Sequence, residues 1–333
     1  MINRNFIDDK VVLVTGGTGS FGVAFIKRIL TEFSPKKVII FSRDELKQFE
    51  LQYQIPNGGK VRYFIGDIRD RSRLSQAFNG VNIIIHAAAM KHVEASEYNP
   101  FEAIQTNIIG AENIISEAIA HKVERVIGLS TDKAASPLNL YGATKLCFEK
   151  LFVAANNYVD ENTPTLFSLV RYGNVVGSRG SVIPFFMKKR TEGELPITDP
   201  RMTRFWITLP DAVTFVLNAL QDTKGGEIFI PKLPAMNIVD LANALAPECK
   251  HRIIGVRPGE KIHEAMITED ESYNVVEQQD RYIILPNSKF RKIGQHDGKR
   301  TETPFCYSSG TTPDQLNTDQ LRAMISKLEL QNS

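Results

Sequence analysis

The sequence predicts an α/β fold built on a doubly wound parallel sheet, with a smaller substrate-binding lobe at its C-terminal end. Three observations carry that expectation. Short β-branched runs alternate with helix-length segments through the first half of the chain. A glycine-rich turn, TGGTGSFG, directly follows the first of those runs. At 333 residues the chain has room for one large domain and a smaller companion.

The elements follow in order. Lys10–Thr15 (KVVLVT) reads as a buried strand. Phe21, Phe25, Ile29 and Phe33 then recur at helical spacing. Val38–Ser42, Val61–Gly66, Asn82–Ala87 and Arg125–Ser130 are the second to fifth strands, and Pro100–Ala120 is the clearest helix between them. After Leu166–Arg171 the rhythm loosens. Strands at Glu227–Ile230 and Tyr282–Leu285 mix with helices near Asp211–Leu220 and Ile238–Ala246. Residues 1–170 are therefore expected to form the dinucleotide-binding domain. Residues 171–333 should form the lobe, with some segments returning to the sheet. Phe290–Asn317 is polar and glycine-rich and reads as a long surface loop. A last helix near Thr318–Leu330 carries Leu321, Ile325 and Leu328 on one stripe.

Composition excludes several partners. Forty basic residues stand against 38 acidic ones, a net charge of +2 with no basic block, which speaks against nucleic acid or an anionic membrane surface. No apolar run reaches the ~18 residues of a membrane span, and MINRNFIDDK has no signal-peptide core. Cys147, Cys249 and Cys306 are odd in number and widely spaced, as in a reduced, cytoplasmic protein. His86 and His92 read as structural, since no spacing around them suggests a metal site.

Within TGGTGSFG, Gly16, Gly19 and Gly22 permit a tight turn, close approach to a pyrophosphate and helix–strand contact. The helix start then offers N–H groups to phosphates. Together with the strand that precedes it, this is the signature of a Rossmann-type dinucleotide site. The second strand ends in Ser42-Arg43-Asp44, with Lys47 one turn on. Arg43 and Lys47 favour the 2′-phosphate of NADP, whereas Asp44 could serve a ribose. Asp67 is placed to meet the adenine, and Ala87–Ala89 are small enough for a cofactor to lie across the sheet.

The chemistry sits in Ser130–Lys145 (STDKAASPLNLYGATK). Tyr141 and Lys145 are four apart and share a helix face. A nearby ammonium lowers a phenol's pKa, so Tyr141 can take a proton from an alcohol while a hydride leaves the same carbon. Asp132 and Lys133 add a second acid/base pair. One pair suffices for alcohol oxidation; two suggest oxidation coupled to an elimination.

TGxxGxxG with YxxxK resembles the extended short-chain dehydrogenase/reductase family over nearly the whole chain. SRDELKQF (42–49), AAAMKH (87–92), STDKA (130–134), LYGATK (140–145), RYGNVVGSRGS (171–181), PITDPRMTRFW (196–206) and RPGEKIHE (257–264) narrow the likeness. Together they resemble the inverting 4,6-dehydratases that act on UDP-N-acetylglucosamine in pseudaminic acid biosynthesis. Val93–Ser96 departs from that pattern.

The resemblance implies roles. Tyr141 takes the proton of the sugar 4-hydroxyl as hydride passes to NADP, Lys145 binds the nicotinamide ribose and depresses the tyrosine pKa, and Thr131 orients the alcohol. Lys133 removes the C5 proton, with burial beside Lys145 expected to pull its pKa toward neutrality, and Asp132 protonates the departing 6-hydroxyl. The cofactor shell is expected to include Thr18, Ser20, Phe21, Ser42, Ile68, Ala87, Lys91, Thr106 and Val175 besides the residues above. Arg204 and Arg257 are expected on the diphosphate, Glu260 on a ribose, Thr198 on the uridine, and Lys91, Asn174, Ser181 and Ile183 against sugar or phosphate. A homo-oligomer, dimer or hexamer, is implied as well. A 4-epimerase of the same family, the related capsular-sugar dehydratase, and a non-catalytic cofactor-sensing protein are the alternatives. The epimerase needs Thr131, Tyr141 and Lys145 but has no use for Asp132 and Lys133 as an acid/base pair.

Overall fold

A computed structural model describes residues 6–55, 59–159, 165–177, 181–287 and 294–332. The first half runs β1 (Val11–Thr15), α1 (Ser20–Glu32), β2 (Lys37–Ser42), α2 (Glu45–Gln54), β3 (Val61–Ile65), α3 (Arg71–Phe78) and β4 (Ile83–His86). Then come α4 (Val93–Tyr98), α5 (Pro100–Ile104), a π-helical turn (Gln105–Ile109), α6 (Gly110–Ala120) and β5 (Arg125–Thr131). A 3₁₀ turn (Asp132–Ala134), α7 (Leu140–Ala155) and β6 (Leu166–Tyr172) complete this half.

The rest contains β7 (Asn174–Val175), α8 (Val182–Arg190), β8 (Glu194–Ile197), β9 (Thr203–Ile207), α9 (Leu209–Asp222) and β10 (Ile228–Pro231). β11 (Ala235–Asn237), α10 (Ile238–Leu245), β12 (Lys250–Ile253), β13 (Ala265–Ile267), α11 (Glu269–Ser272), β14 (Val275–Glu277) and β15 (Arg281–Ile284) follow. β16 (Lys299–Arg300), β17 (Tyr307–Ser308), β18 (Gln315–Leu316) and α12 (Thr318–Asn332) end the chain.

The main sheet has ten strands in the order β16-β14-β15-β10-β6-β5-β4-β1-β2-β3. From β10 to β3 every pairing is parallel, and β15, β14 and β16 extend that edge antiparallel. The strand order reverses between β1 and β4. In such sheets the crevice at that switch point is where ligands bind. Val12, Val14, Ile40, Ile84 and Ile127 are wholly buried because helices cover both faces.

The second half serves two bodies. β10, β14, β15 and β16 join the main sheet. A separate core gathers Phe186, Leu195, Ile197, Trp206, Leu241, Leu245, Leu321 and Ile325 into the lobe. Leu321 and Ile325 of the last helix are thus buried, while the side chain of Leu328 lies outside the described residues.

Three expectations change. Phe290–Asn317 is not one long loop: β16, β17 and β18 lie within it and pair with β14, β13 and β11. Two-residue strands are too short to show alternation and exist only through their partners. Its segment 290–293 lies outside the described residues. Phe33 leaves the helical stripe, because the chain turns extended there as the C-cap of α1. The predicted helix 100–120 is present but interrupted by a π turn. The departing stretch Val93–Ser96 opens α4.

Candidate active site

A cavity of ≈1050 Å³ opens at the switch point, lined by the ends of β1, β2, β4, β5 and β6 and by the lobe. Gly16 begins it with φ +65°, and a side chain there would stand 2.9 Å from the Ala88 backbone. A Cβ on Gly22 would lie 2.6 Å from Gly17 Cα, so α1 could not approach β1. Gly19 caps α1 with no side-chain hydrogen bond to the helix N–H groups, as phosphate binding requires. Thr18, Ser20, Phe21, Ser42, Arg43, Lys47, Asp67, Ile68, Ala87, Lys91, Thr106 and Val175 all line the cavity. A dinucleotide therefore fits this cradle.

At the β2 end, Asp44 caps α2: its Oδ1 accepts from Lys47 N at 2.9 Å, and Lys47 Nζ lies 2.6 Å from Oδ2. That carboxylate serves the helix. Arg43 is exposed and 3.6 Å from Asp67, which three donors of Arg69, its backbone N–H and two guanidinium nitrogens, also hold. Such exposed pairs are weak and readily exchanged for a phosphate.

The chemistry-bearing turn follows β5. Thr131 Oγ1 donates to Asp132 Oδ1 at 2.9 Å, and Lys133 Nζ donates to the same oxygen at 3.0 Å. Asp132 is fully buried and its Oδ2 has no hydrogen-bond partner among the described residues. Gly142 lets α7 lie on this turn, since a Cβ there would meet Lys133 O at 2.3 Å. Asn139 caps α7 through Gly142 N at 2.8 Å and donates to Gly259 O at 2.8 Å, tying α7 to the RPGEKIHE loop. Asn107, in the π turn, clasps Met90 N and O and Thr144 Oγ1, fixing the AAAMKH stretch against α7. π turns often mark functional sites.

The electrostatics differ from the expectation. Burial pushes the Tyr141 phenol up to about 12; the cation pulling it down is Lys133, helped by a hydrogen bond with Thr131, while Asp132 pushes it further up. Lys145 is buried, donates from Nζ to Leu129 O at 2.6 Å and lies 3.6 Å from the Phe148 ring centroid. Burial takes its own pKa down to about 7, against the pull of Glu149. Lys133 is not pushed toward neutrality by Lys145. Burial lowers its pKa, but Asp132 and Glu264 outweigh that and hold the ammonium above the ordinary lysine value.

The substrate side divides. Asn174, Ser181, Ile183, Arg204 and Glu260 line the cavity beside Lys91. Arg204, however, directs its guanidinium to the carbonyls of Thr203, Lys261 and Ile262 at 2.7–3.0 Å, fastening β9 to the 261–264 loop. Arg257 is half exposed, 3.5 Å from Glu94 and 3.8 Å from Glu260, and like Thr198 is not among the lining residues. Part of RYGNVVGSRGS, residues 178–180, lies outside the described residues. His86 is structural: its Nδ1 meets Thr15 Oγ1 at 2.7 Å, and burial holds it neutral with a pKa of about 3. Among the described residues no helix is long and apolar enough to cross a membrane, and no cluster of three His, Cys, Asp or Glu could hold a metal.

Residue-level reading of the sequence missed Glu264, Asn107 and Asn139. Asn139 was legible as an N-cap just before a helix. Apart from Lys261, the partners of Glu264 and Asn107 lie at least 17 residues away in the chain, and no local signal marks them.

The comparisons agree with this architecture. A family model described as polysaccharide biosynthesis protein matches residues 12–286. The chain is 53% identical over 331 residues to the UDP-N-acetylglucosamine 4,6-dehydratase (inverting) of Campylobacter jejuni subsp. jejuni serotype O:2, covering 96% of this chain and 98% of that protein. It is 44% identical over 332 residues to the UDP-glucose 4-epimerase of Rickettsia akari, covering 96% of each. The X-ray structure of Pen from Bacillus thuringiensis superposes with a TM-score of 0.90 at 40% identity, over 98% of this chain and 99% of that one. A glycine cradle at the switch point, the Tyr141–Lys145 pair on one helix and a family match across most of the length lead to one conclusion: the chain belongs to the polysaccharide biosynthesis protein family of extended short-chain dehydrogenase/reductases.

Proposed function

We propose that this chain is a nucleotide-sugar 4,6-dehydratase that acts on UDP-N-acetylglucosamine with inversion at C5, a hydro-lyase with tightly bound NADP. The observation that carries the reading is the Asp132–Lys133 pair, 3.0 Å apart, with Lys133 on the cavity wall alongside Tyr141 and Asp132 wholly buried next to it, outside the lining. The name of the 53% identical relative supports it.

Tyr141 accepts the proton of the 4-hydroxyl, oriented by Thr131, and the Lys133 ammonium favours the phenolate. Lys145 would hold the nicotinamide ribose, and the bound cofactor would supply a two-electron store for the hydride that leaves C4 and is returned at C6. The ketone at C4 acidifies C5–H. Moving one proton from Lys133 Nζ to Asp132 Oδ1 turns the observed ion pair into an amine and a carboxylic acid. That form matches the task. The amine takes the C5 proton, the C6–O6 bond breaks, and Asp132 gives its proton to O6, which leaves as water. The ion pair is thereby restored. Solvent returns a proton to C5 on the opposite face, giving the inverted 4-keto-6-deoxy sugar.

Turnover in heavy water, followed by NMR, tests this. The expected product carries one deuterium at C5, inverted, and has lost its 6-hydroxyl. Tyr141→Phe should give neither reduced cofactor nor product. Asp132→Asn should oxidise C4 and then stall, slowed by about 10²–10⁴, whereas Lys133→Ala should slow both steps, because its ammonium also favours the Tyr141 phenolate. The epimerase reading draws on the Rickettsia relatives, 39–44% identical. A 4-epimer with its 6-hydroxyl intact would establish it instead.

A further inference from the structure

The Lys133 ammonium lies between two carboxylates from opposite halves of the chain. Asp132 Oδ1 is 3.0 Å away and Glu264 Oε1 3.4 Å. Asp132 is wholly buried, whereas Glu264, only 3% exposed, forms part of the cavity wall. Two further cations approach Glu264: Lys261 Nζ at 3.6 Å from Oε2 and Arg204 Nε at 4.0 Å from Oε1. Yet Oε2 has no hydrogen-bond partner among the described residues. A buried acceptor left unsatisfied is costly and calls for an explanation. The backbone of Glu264 is pinned independently, its N–H on Ser309 Oγ at 2.9 Å and its carbonyl on Ser309 N at 2.8 Å. Lys261 Nζ also reaches Ala135 O at 2.6 Å, so this loop is fastened onto the catalytic turn.

We propose that Glu264 is a positioning residue for Lys133: with Asp132 it holds the amine at the cavity wall, and, once Lys133 has taken the C5 proton and until Asp132 protonates O6, it is the carboxylate that balances the ammonium's charge. The inference rests on the dehydratase reading. There, Asp132 must carry a proton before O6 leaves, and in that interval Lys133 has lost one of its two anions. Glu264 is the carboxylate that remains within 4 Å. The charged and titratable groups around Lys133 are Asp132 and Tyr141 beside it, Arg204 from β9, and Glu264 with Lys261 from the facing loop. Asp132 and Glu264 raise the proton affinity of Lys133 and Arg204 lowers it. Removing the Glu264 charge must therefore make Lys133 release its proton at lower pH.

Glu264→Gln keeps the shape and removes the charge. Two measurements read the consequence. Competitive acetylation of the cofactor-loaded protein across pH, with mass spectrometry of the Lys133 peptide, should show Lys133 becoming reactive at lower pH by about one unit, a tenfold change in proton affinity. In single turnover in heavy water, the pH limb of C5 exchange should move the same way. Glu264→Asp should restore part of the shift. A structural role alone would leave Lys133 labelling where it was. That result, or labelling and exchange identical to the parent, overturns the proposal. If the parent itself never exchanges C5 and yields a 4-epimer, the dehydratase reading falls and takes this role with it. If the parent exchanges normally and Glu264→Gln matches it, this role falls alone.

Discussion

Lys133 and Lys145 stand on the wall of one cavity, and their surroundings drive them in opposite directions. Lys133 meets two carboxylates and stays charged, whereas Lys145 meets a carbonyl and an aromatic face and is pushed down to about 7. The Lys145 shift has a sign that can be checked. Between about 7 and its ordinary 10.5 the unfolded chain holds a proton that the folded chain does not. Stability should therefore rise with pH across that window. Lys145→Met removes this dependence. Relative to the parent, the variant should be most favoured at about pH 7 and lose ground steadily toward pH 10.5 in equilibrium urea unfolding. A stability difference independent of pH would show that burial does not neutralise Lys145. At the other end of the cavity, Arg43 faces solvent while Asp44 is committed to the α2 cap. Arg43→Ala should weaken NADP roughly tenfold or more and leave NAD nearly unchanged, since a charge-assisted contact is worth about 1.5–3 kcal/mol. Fluorescence titration with both cofactors decides it, and equal losses for the two would remove Arg43 from the phosphate site.

At the level of elements, the geometry of the candidate site depends on how closely α7 meets the 132–134 turn. Gly142 is the contact. Alanine would be the better helix former by about 1 kcal/mol. Here its Cβ would fall 2.3 Å from Lys133 O and 3.0 Å from Pro137 Cβ. Backbone cannot yield as a side-chain tip can, so overpacking should win, at about 1–3 kcal/mol of stability. Gly142→Ala should lower the melting temperature and reduce turnover far more than that loss of stability explains, because Tyr141 and Lys133 are moved apart. A variant with raised stability and parental turnover would show that the contact is slack. These elements were legible in outline. KVVLVT, VIIFS and NIIIHA announce strands because both faces of a parallel sheet are buried. The π turn at Gln105–Ile109 was not legible, since helix-forming residues fill it and only its tertiary use of Asn107 sets it apart.

Across the whole molecule, the segment of β13 and α11 is fastened to β6 and α7 by a buried ion triad. Arg171, wholly buried on β6, donates to Glu149 of α7 at 2.9 and 2.5 Å, to Glu271 of α11 at 2.9 and 2.8 Å, and to Met266 O at 2.8 Å. Removing one member of such a set leaves an uncompensated buried charge, which costs about 3–5 kcal/mol. Arg171→Met should lose that much in urea unfolding, and replacing Arg171, Glu149 and Glu271 together by apolar residues should recover most of it. A mild loss in the single variant would mean that water reaches the carboxylates. The sequence by itself determined the parallel order of the sheet, the glycine cradle at its switch point and the Tyr141–Lys145 register. Each depends on residues close together in the chain, where periodicity and backbone freedom act. The tertiary structure alone decided the charge on each lysine, the loss of Arg204 to backbone carbonyls, the position of Arg257 outside the cavity lining and the arrival of Glu264 beside Lys133. Those depend on desolvation and on partners brought in from distant parts of the chain, such as Glu264 beside Lys133 and Glu94 beside Arg257, which the order of residues along the chain does not display.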